Sequence, residues 1–193
     1  MRAFDVHVHP STRGLDHHAC SYFRRDLKDI PQNAEQFASL YTKNDVTALL
    51  IGWHPSTVSE GARNSNEHVL DLARQFPDAF PGILAALDTN ASDLTAVARY
   101  AEELVLNPKV KGFKFHPPDQ GFYPNDKRFY DIWEIIQASG KPALFHVGFT
   151  VLGANTDGGS GIALDYGRPI HLDTLRSSIA RAASSARRES SKR

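Results

Sequence analysis

Apolar positions along this chain follow two rhythms that alternate with one another. Short apolar runs that suit strands occur at Phe4–Val8, Val46–Trp53, Pro81–Leu87, Val110–His116 and Ala143–Gly148. Between them, apolar residues recur at helical spacing. In Asn33–Lys43 these are Phe37, Leu40 and Tyr41, and in Asn66–Phe76 they are Val69, Leu70, Ala73 and Phe76. A third helix is predicted through Leu94, Val97, Ala98, Ala101 and Leu104, with Ser92 as its N-cap. A fourth covers Lys127–Ala138 and is stopped by Gly140-Lys141-Pro142, and a helical start follows at Pro169–Leu175.

Five strand–helix units with short connections build parallel strands joined by crossover helices. The choice between an open doubly wound sheet and a barrel turns on the strand ends. His9, His54, Asp88, His116 and His146 all fall at or near the C-terminal ends of the predicted strands. In a (β/α)8 barrel such ends converge on one mouth, whereas an open sheet spreads them along a line. The reading is therefore α/β, a partial TIM-type (β/α) barrel with about five of the eight units. A whole barrel takes about 250 residues, and this sequence has 193. Beyond Leu175 the pattern disappears, since residues 176–193 contain six Ser, four Ala and one larger apolar residue, Ile179. The expected division is a partial barrel over 1–175 and a frayed or disordered basic tail over 176–193.

Composition narrows the setting. Hydrophobic residues make up 41% of the chain, enough for a proper core. No apolar run approaches a membrane span and the start lacks a signal-peptide segment, so a cytoplasmic protein without membrane contact is expected. The single cysteine, Cys20, excludes an internal disulfide framework. Net charge is zero, with a mildly acidic body and a tail of six Lys/Arg against one Glu. That tail has no aromatic or structured context for nucleic acid, so the expected partner is a small-molecule substrate.

The candidate chemistry begins at Asp5-Val6-His7-Val8-His9. Strand alternation predicts Asp5, His7 and His9 on one face, with Val6 and Val8 on the other. Neutral imidazoles are common ligands for zinc and similar divalent metals, and a metal that activates water keeps one position open. His146, at the mouth end of an otherwise apolar strand, is read as a third ligand beside His7 and His9. In Gly112-Phe113-Lys114-Phe115-His116, alternation turns Lys114 and His116 inward and the phenylalanines outward. A buried lysine needs a reason. Charge balanced by Asp5 or a substrate carboxylate is favoured, carboxylation with bridging of two metals stands as a second option, and snorkelling to the rim is the bland alternative. His116 is read as a ligand or a substrate-polarising group. Asp16, His17, His18 and Cys20 read as a surface loop, His54 as a mouth or solvated residue, and His68 and His171 as surface positions. Gly158-Gly159-Ser160-Gly161 lacks the Lys-Ser/Thr pair of a phosphate loop and reads as a flexible connection.

With Asp-x-His-x-His on strand one, Gly-Phe-Lys-Phe-His-Pro on strand four and Phe-His-Val-Gly on strand five, the chain resembles the amidohydrolase superfamily. It is most similar to the amidohydrolase-related branch of metal-dependent hydrolases, decarboxylases and hydratases acting on aromatic or dicarboxylic acids. The resemblance implies a catalytic metal, zinc, on His7, His9 and His146, and carboxylation of Lys114 as an option, while the catalytic roles expected of His116 and Lys114 come from their place on strand four. It also implies a histidine on strand six and a proton-accepting aspartate on strand eight, which have no counterpart here. The expected function is a metal-dependent hydrolase acting on a small carboxylate or carbonyl substrate through metal-activated water. The alternatives are a decarboxylase or hydratase of the same family, and a non-catalytic truncated fragment. Exposed strand edges carry the further expectation of association into a homo-oligomer.

Overall fold

The computed structural model describes residues 2–10, 26, 30–53, 64–154 and 156–177. Five parallel strands, β1 (Ala3–Val8), β2 (Val46–Ile51), β3 (Gly82–Ala85), β4 (Val110–Phe115) and β5 (Ala143–Phe145), lie in sequence order in one sheet. The helices are α1 (Ala34–Lys43), α2 (Asn66–Gln75), α3 (Leu94–Leu106), α4 (Tyr130–Ala138) and α5 (residues 169–177). When every strand pairs with the next, right-handed crossovers put all the helices on one side. A doubly wound sheet would reverse direction part-way. The result is a curled half-barrel, as the strand-end residues predicted.

The helix side holds the main core. Ala48, Leu50, Ile83, Ala85, Phe113 and Phe115 from the strands pack there against Phe37, Val69, Ala101 and Trp133 from the helices. The barrel side carries a smaller cluster of Leu49, Ile51 and Leu84, with Leu144 packed against it. Asn66 pins α2 to the sheet. Its Oδ1 accepts from Ala86 N at 2.8 Å and its Nδ2 donates to Ala86 O at 2.8 Å. Gly52 is required at this crossing, because a Cβ there would collide with Asn66 Oδ1.

Four local expectations are corrected. Asp5 pairs with Ala48 and Val8 with Leu50, so three steps of β1 match two of β2. This bulge breaks the alternation and puts Asp5 on the side of Ala48, Leu50 and Val8, which face the helices. Asp5 therefore does not share a face with His7 and His9. Asp93, not Ser92, caps α3, because its carboxylate accepts from both Thr95 N and Ala96 N. The predicted fourth helix opens with a 3₁₀ turn, Lys127–Phe129, capped by Asp126, before α4 begins. Strand pairing also ends sooner than the apolar runs do. β2 stops at Ile51, β4 at Phe115 and β5 at Phe145.

The glycine-rich segment carries a short turn at Asp157–Gly161, where Gly158, Gly159 and Ser160 are left-handed, and a 3₁₀ turn at Leu164–Gly167. His68 is exposed on α2, as expected. The readings of Asp16, His17, His18, Cys20, His54 and residues 178–193 lie outside the described residues. Among the described residues, no helix is long and apolar enough to cross a membrane.

Candidate active site at the barrel mouth

His7, His9, Lys114, His116 and His146 meet at the C-terminal ends of β1, β4 and β5. The aromatic rings form a row. His7 and His9 centroids are 5.2 Å apart, His9 and Trp53 5.0 Å, Trp53 and His116 5.5 Å, and His116 and His146 3.9 Å, the last pair stacked at 15°. Trp53 reaches the site because the chain leaves β2 through Gly52, with Trp53 N–H donating to Asn64 O at 2.6 Å.

All four imidazoles are held below their ordinary titration range. Burial is the first cause in each case, and the Lys114 ammonium adds to it. His9 is lowered to about 3 and His116 to about 2. Lys114 is itself lowered to about 8, by burial. Each histidine is thus neutral near pH 7, with one nitrogen offering a lone pair and the other a proton.

Hydrogen bonds settle which nitrogen does which. β4 ends one residue before His116, so that His116 caps the helical turn Pro117–Gln120. Its Nδ1 accepts from Asp119 N at 3.2 Å, while Gln120 Oε1 accepts from His116 N at 2.7 Å. The pair is reciprocal like a capping box, with an imidazole at the N-cap and the returning side chain one position later than usual. With Nδ1 accepting, the proton sits on Nε2, which lies 3.4 Å from Thr150 Oγ1. His146 is arranged the other way. Its Nε2 donates to Phe149 O at 2.9 Å, leaving the lone pair on Nδ1.

The donor set can be tested against a divalent metal. Nε2 of His7 and Nε2 of His9 are 3.3 Å apart. Two nitrogens bound tetrahedrally at about 2.0–2.1 Å would sit roughly 3.3–3.4 Å apart. Among the described residues, His9 Nδ1 is buried with no hydrogen-bond partner. The same Nε2 contact is a hydrogen bond between these two imidazoles, and the spacing suits a metal that would replace its proton. The third does not close the set, because His146 stacks on His116. Among the described residues, no three His, Cys, Asp or Glu side chains gather around one point.

Sequence reasoning missed Trp53, Thr150, Asp119 and Gln120. The signal for the last two was present, since Pro-Pro directly after His116 marks a helix start and a glutamine follows at capping distance. Asp88, a predicted mouth residue, has its Oδ1 accepting from Asn90 N in a turn. His171 Nε2 donates to Asp165 O at 3.0 Å, and its ring lies 4.9 Å from Tyr123 at the surface.

The family model for amidohydrolases matches residues 4–180. The chain belongs to the amidohydrolase family. Solved structures agree in fold. One amidohydrolase II structure aligns at TM-score 0.58 and 14% identity, covering 89% of this chain and 60% of its own. A Staphylococcus aureus protein assigned as an amidohydrolase aligns at 0.58 and 15%, covering 91% and 61%. The 5-carboxyvanillate decarboxylase of Sphingomonas paucimobilis aligns at 0.52 and 17%, covering 90% and 60%. This amidohydrolase chain thus spans about 60% of the length of those structures. A search of curated proteins returns no match.

Proposed function

We propose that this amidohydrolase is a metal-dependent hydrolase of a small carboxylate or carbonyl substrate. His7 and His9 would hold the metal, His146 would join them only once its ring leaves the stack on His116, and His116 and Lys114 would face the substrate. The 3.3 Å separation of the His7 and His9 Nε2 atoms carries the reading. When bound, a divalent metal would supply an activated water and polarisation of a substrate oxygen. The protein's own groups do the rest. His116, fixed by its cap with the proton on Nε2, donates a hydrogen bond toward oxygen charge that develops in the reaction. It stays neutral because burial and neighbouring positive charge oppose a second proton. Trp53 stands between His9 and His116 and packs its ring against both.

Metal analysis of the purified protein tests the ligand set. His7→Ala and His146→Ala should each lose most of the bound metal, and unchanged metal in both would sink the assignment. His116→Asn should keep the metal and slow turnover by about 10²-fold, the scale for losing one preorganised donor. A substrate screen of the metal-loaded chain separates hydrolysis from decarboxylation. Metal binding without turnover on any substrate would favour the non-catalytic reading.

A further inference from the structure

The ring of His146 owes little to its own strand. β5 ends at Phe145, and the last ladder-like bond beyond it runs from His146 N to Phe115 O at 2.9 Å. Among the described residues, the imidazole is then fixed by its stack on His116 and by the bond from its Nε2 to Phe149 O. Phe149 supplies that carbonyl while its own side chain stands in solvent, 64% exposed. The backbone on either side of the carbonyl therefore decides where it points.

On one side Gly148, at φ +76°, donates its N–H to Gly167 O at 2.9 Å. On the other, Thr150 is buried, with its Oγ1 accepting from Leu152 N at 3.2 Å and lying 3.4 Å from His116 Nε2. Gly167 also stands against the turn that His116 caps, since a Cβ there would come within 2.8 Å of Pro118 Cγ. The stretch around Gly167 thus bears on both stacked imidazoles.

Tyr123, in the connection from β4 to α4, meets that stretch at three points. Its hydroxyl donates to Asp165 Oδ2 at 2.8 Å, and its ring lies 4.6 Å from Tyr166 and 4.9 Å from His171. The partners are tied to one another, because Arg168 Nη1 donates to Asp165 Oδ1 at 3.3 Å and His171 Nε2 to Asp165 O at 3.0 Å. A phenol donating to a carboxylate makes a charge-assisted bond, and tilted ring pairs add to it.

We propose that Tyr123 is a positioning residue for His146. It holds Asp165–His171 in place, Gly167 holds Gly148 through their hydrogen bond, and Gly148 sets the Phe149 carbonyl that orients the imidazole. The inference deepens the reading above, in which His146 belongs to the site. No bond is made or broken, and Tyr123 acts through the loop after β5 rather than on reacting atoms. Adjacency alone does not demonstrate such coupling, so the test reads His146 itself.

The whole chain, with nitrogen-labelled histidine and free of metal, is followed by nuclear magnetic resonance, the His146 signals being identified through His146→Asn. Wild type should show the His146 Nε2 proton and ring protons shifted by the stack on His116. Tyr123→Ala should lose both signatures and exchange the Gly148 amide at least about fivefold faster, the scale of one lost hydrogen bond. Tyr123→Phe keeps the ring contacts and removes only the hydroxyl, so it should move the same signals the same way by less, and it decides the matter if Tyr123→Ala does not fold. Asp93→Ala, which removes the cap of α3, should leave His146 unmoved. Wild type without the two signatures, His146 signals and Gly148 exchange unchanged in the Tyr123 variants, or an equal change in Asp93→Ala would overturn the proposal. Zinc that leaves the wild-type His146 signals unmoved would sink its role as a ligand and leave its positioning by Tyr123 standing.

Discussion

The two faces of the sheet are built on opposite terms. On the helix side, apolar side chains from every strand interlock with α1 to α4, and the polar groups that enter, such as Asn66, are fully hydrogen-bonded. On the barrel side, three buried apolar residues share the surface with four neutral histidines and a buried ammonium. Stability therefore comes mainly from the first face. The second holds polar groups at a cost in stability, which is the usual mark of a site that meets a ligand.

The largest expected effect falls on the helix side. Phe113→Ala empties a fully buried position and should cost about 3–5 kcal/mol in urea unfolding. A loss under 1 kcal/mol would show that this core is not what holds the sheet. Asn66→Ala comes next. It strands Ala86 N–H and C=O inside the protein and should cost about 2–3 kcal/mol by the same measurement. Lys114→Met should go the other way. Replacing a buried cation that makes no ion pair among the described residues by an apolar chain of similar length should add about 1–2 kcal/mol, and a destabilised variant would mean that the ammonium supports the fold.

The smallest effect tests the bulge. Burial, followed by the charge of Asp5, pushes the Tyr41 phenol up to about 12. Because its folded value lies above the unfolded one of about 10, this contribution to stability is present below pH 10 and is lost as pH rises toward 12. Spectrophotometric titration should find Tyr41 lower in Asp5→Asn, by less than about one unit. An unmoved Tyr41 would place Asp5 away from α1 and reopen the assignment of faces.

Much of this was legible from the sequence, and the exceptions share a cause. Period-two alternation in Val110–Phe115 correctly turned Lys114 inward and Phe113 and Phe115 outward, because nothing interrupts that strand. The convergence of His7, His9, His116 and His146 followed from counting strand ends. Alternation failed on β1, since a bulge is set by pairing with β2 and leaves no mark in the apolar pattern. Ser92 lost to Asp93 because both residues suit a cap and only the backbone path decides between them. Trp53 and Thr150 reach the site from chain that leaves the ladder, where periodicity does not apply. The stacking of His146 on His116 depends on the loop through Phe149, and spacing cannot foretell it.

The extra residue in β1 uncouples what looks like one five-residue word. Val6 and His7 together stand opposite the single Leu49, so the chain slips by half a period between the aspartate and the imidazole pair. Asp5 then acts on Tyr41 of α1 as well as on His7, whose N–H donates to its Oδ1 at 2.9 Å, while the imidazoles meet the side chains of β4 and β5. A chain lacking Val6 would run β1 as an unbroken ladder and still deliver both imidazoles to the mouth. The aspartate still reaches the imidazole pair, through the His7 N–H bond that it accepts and through a charge that opposes the lowering of the His7 titration.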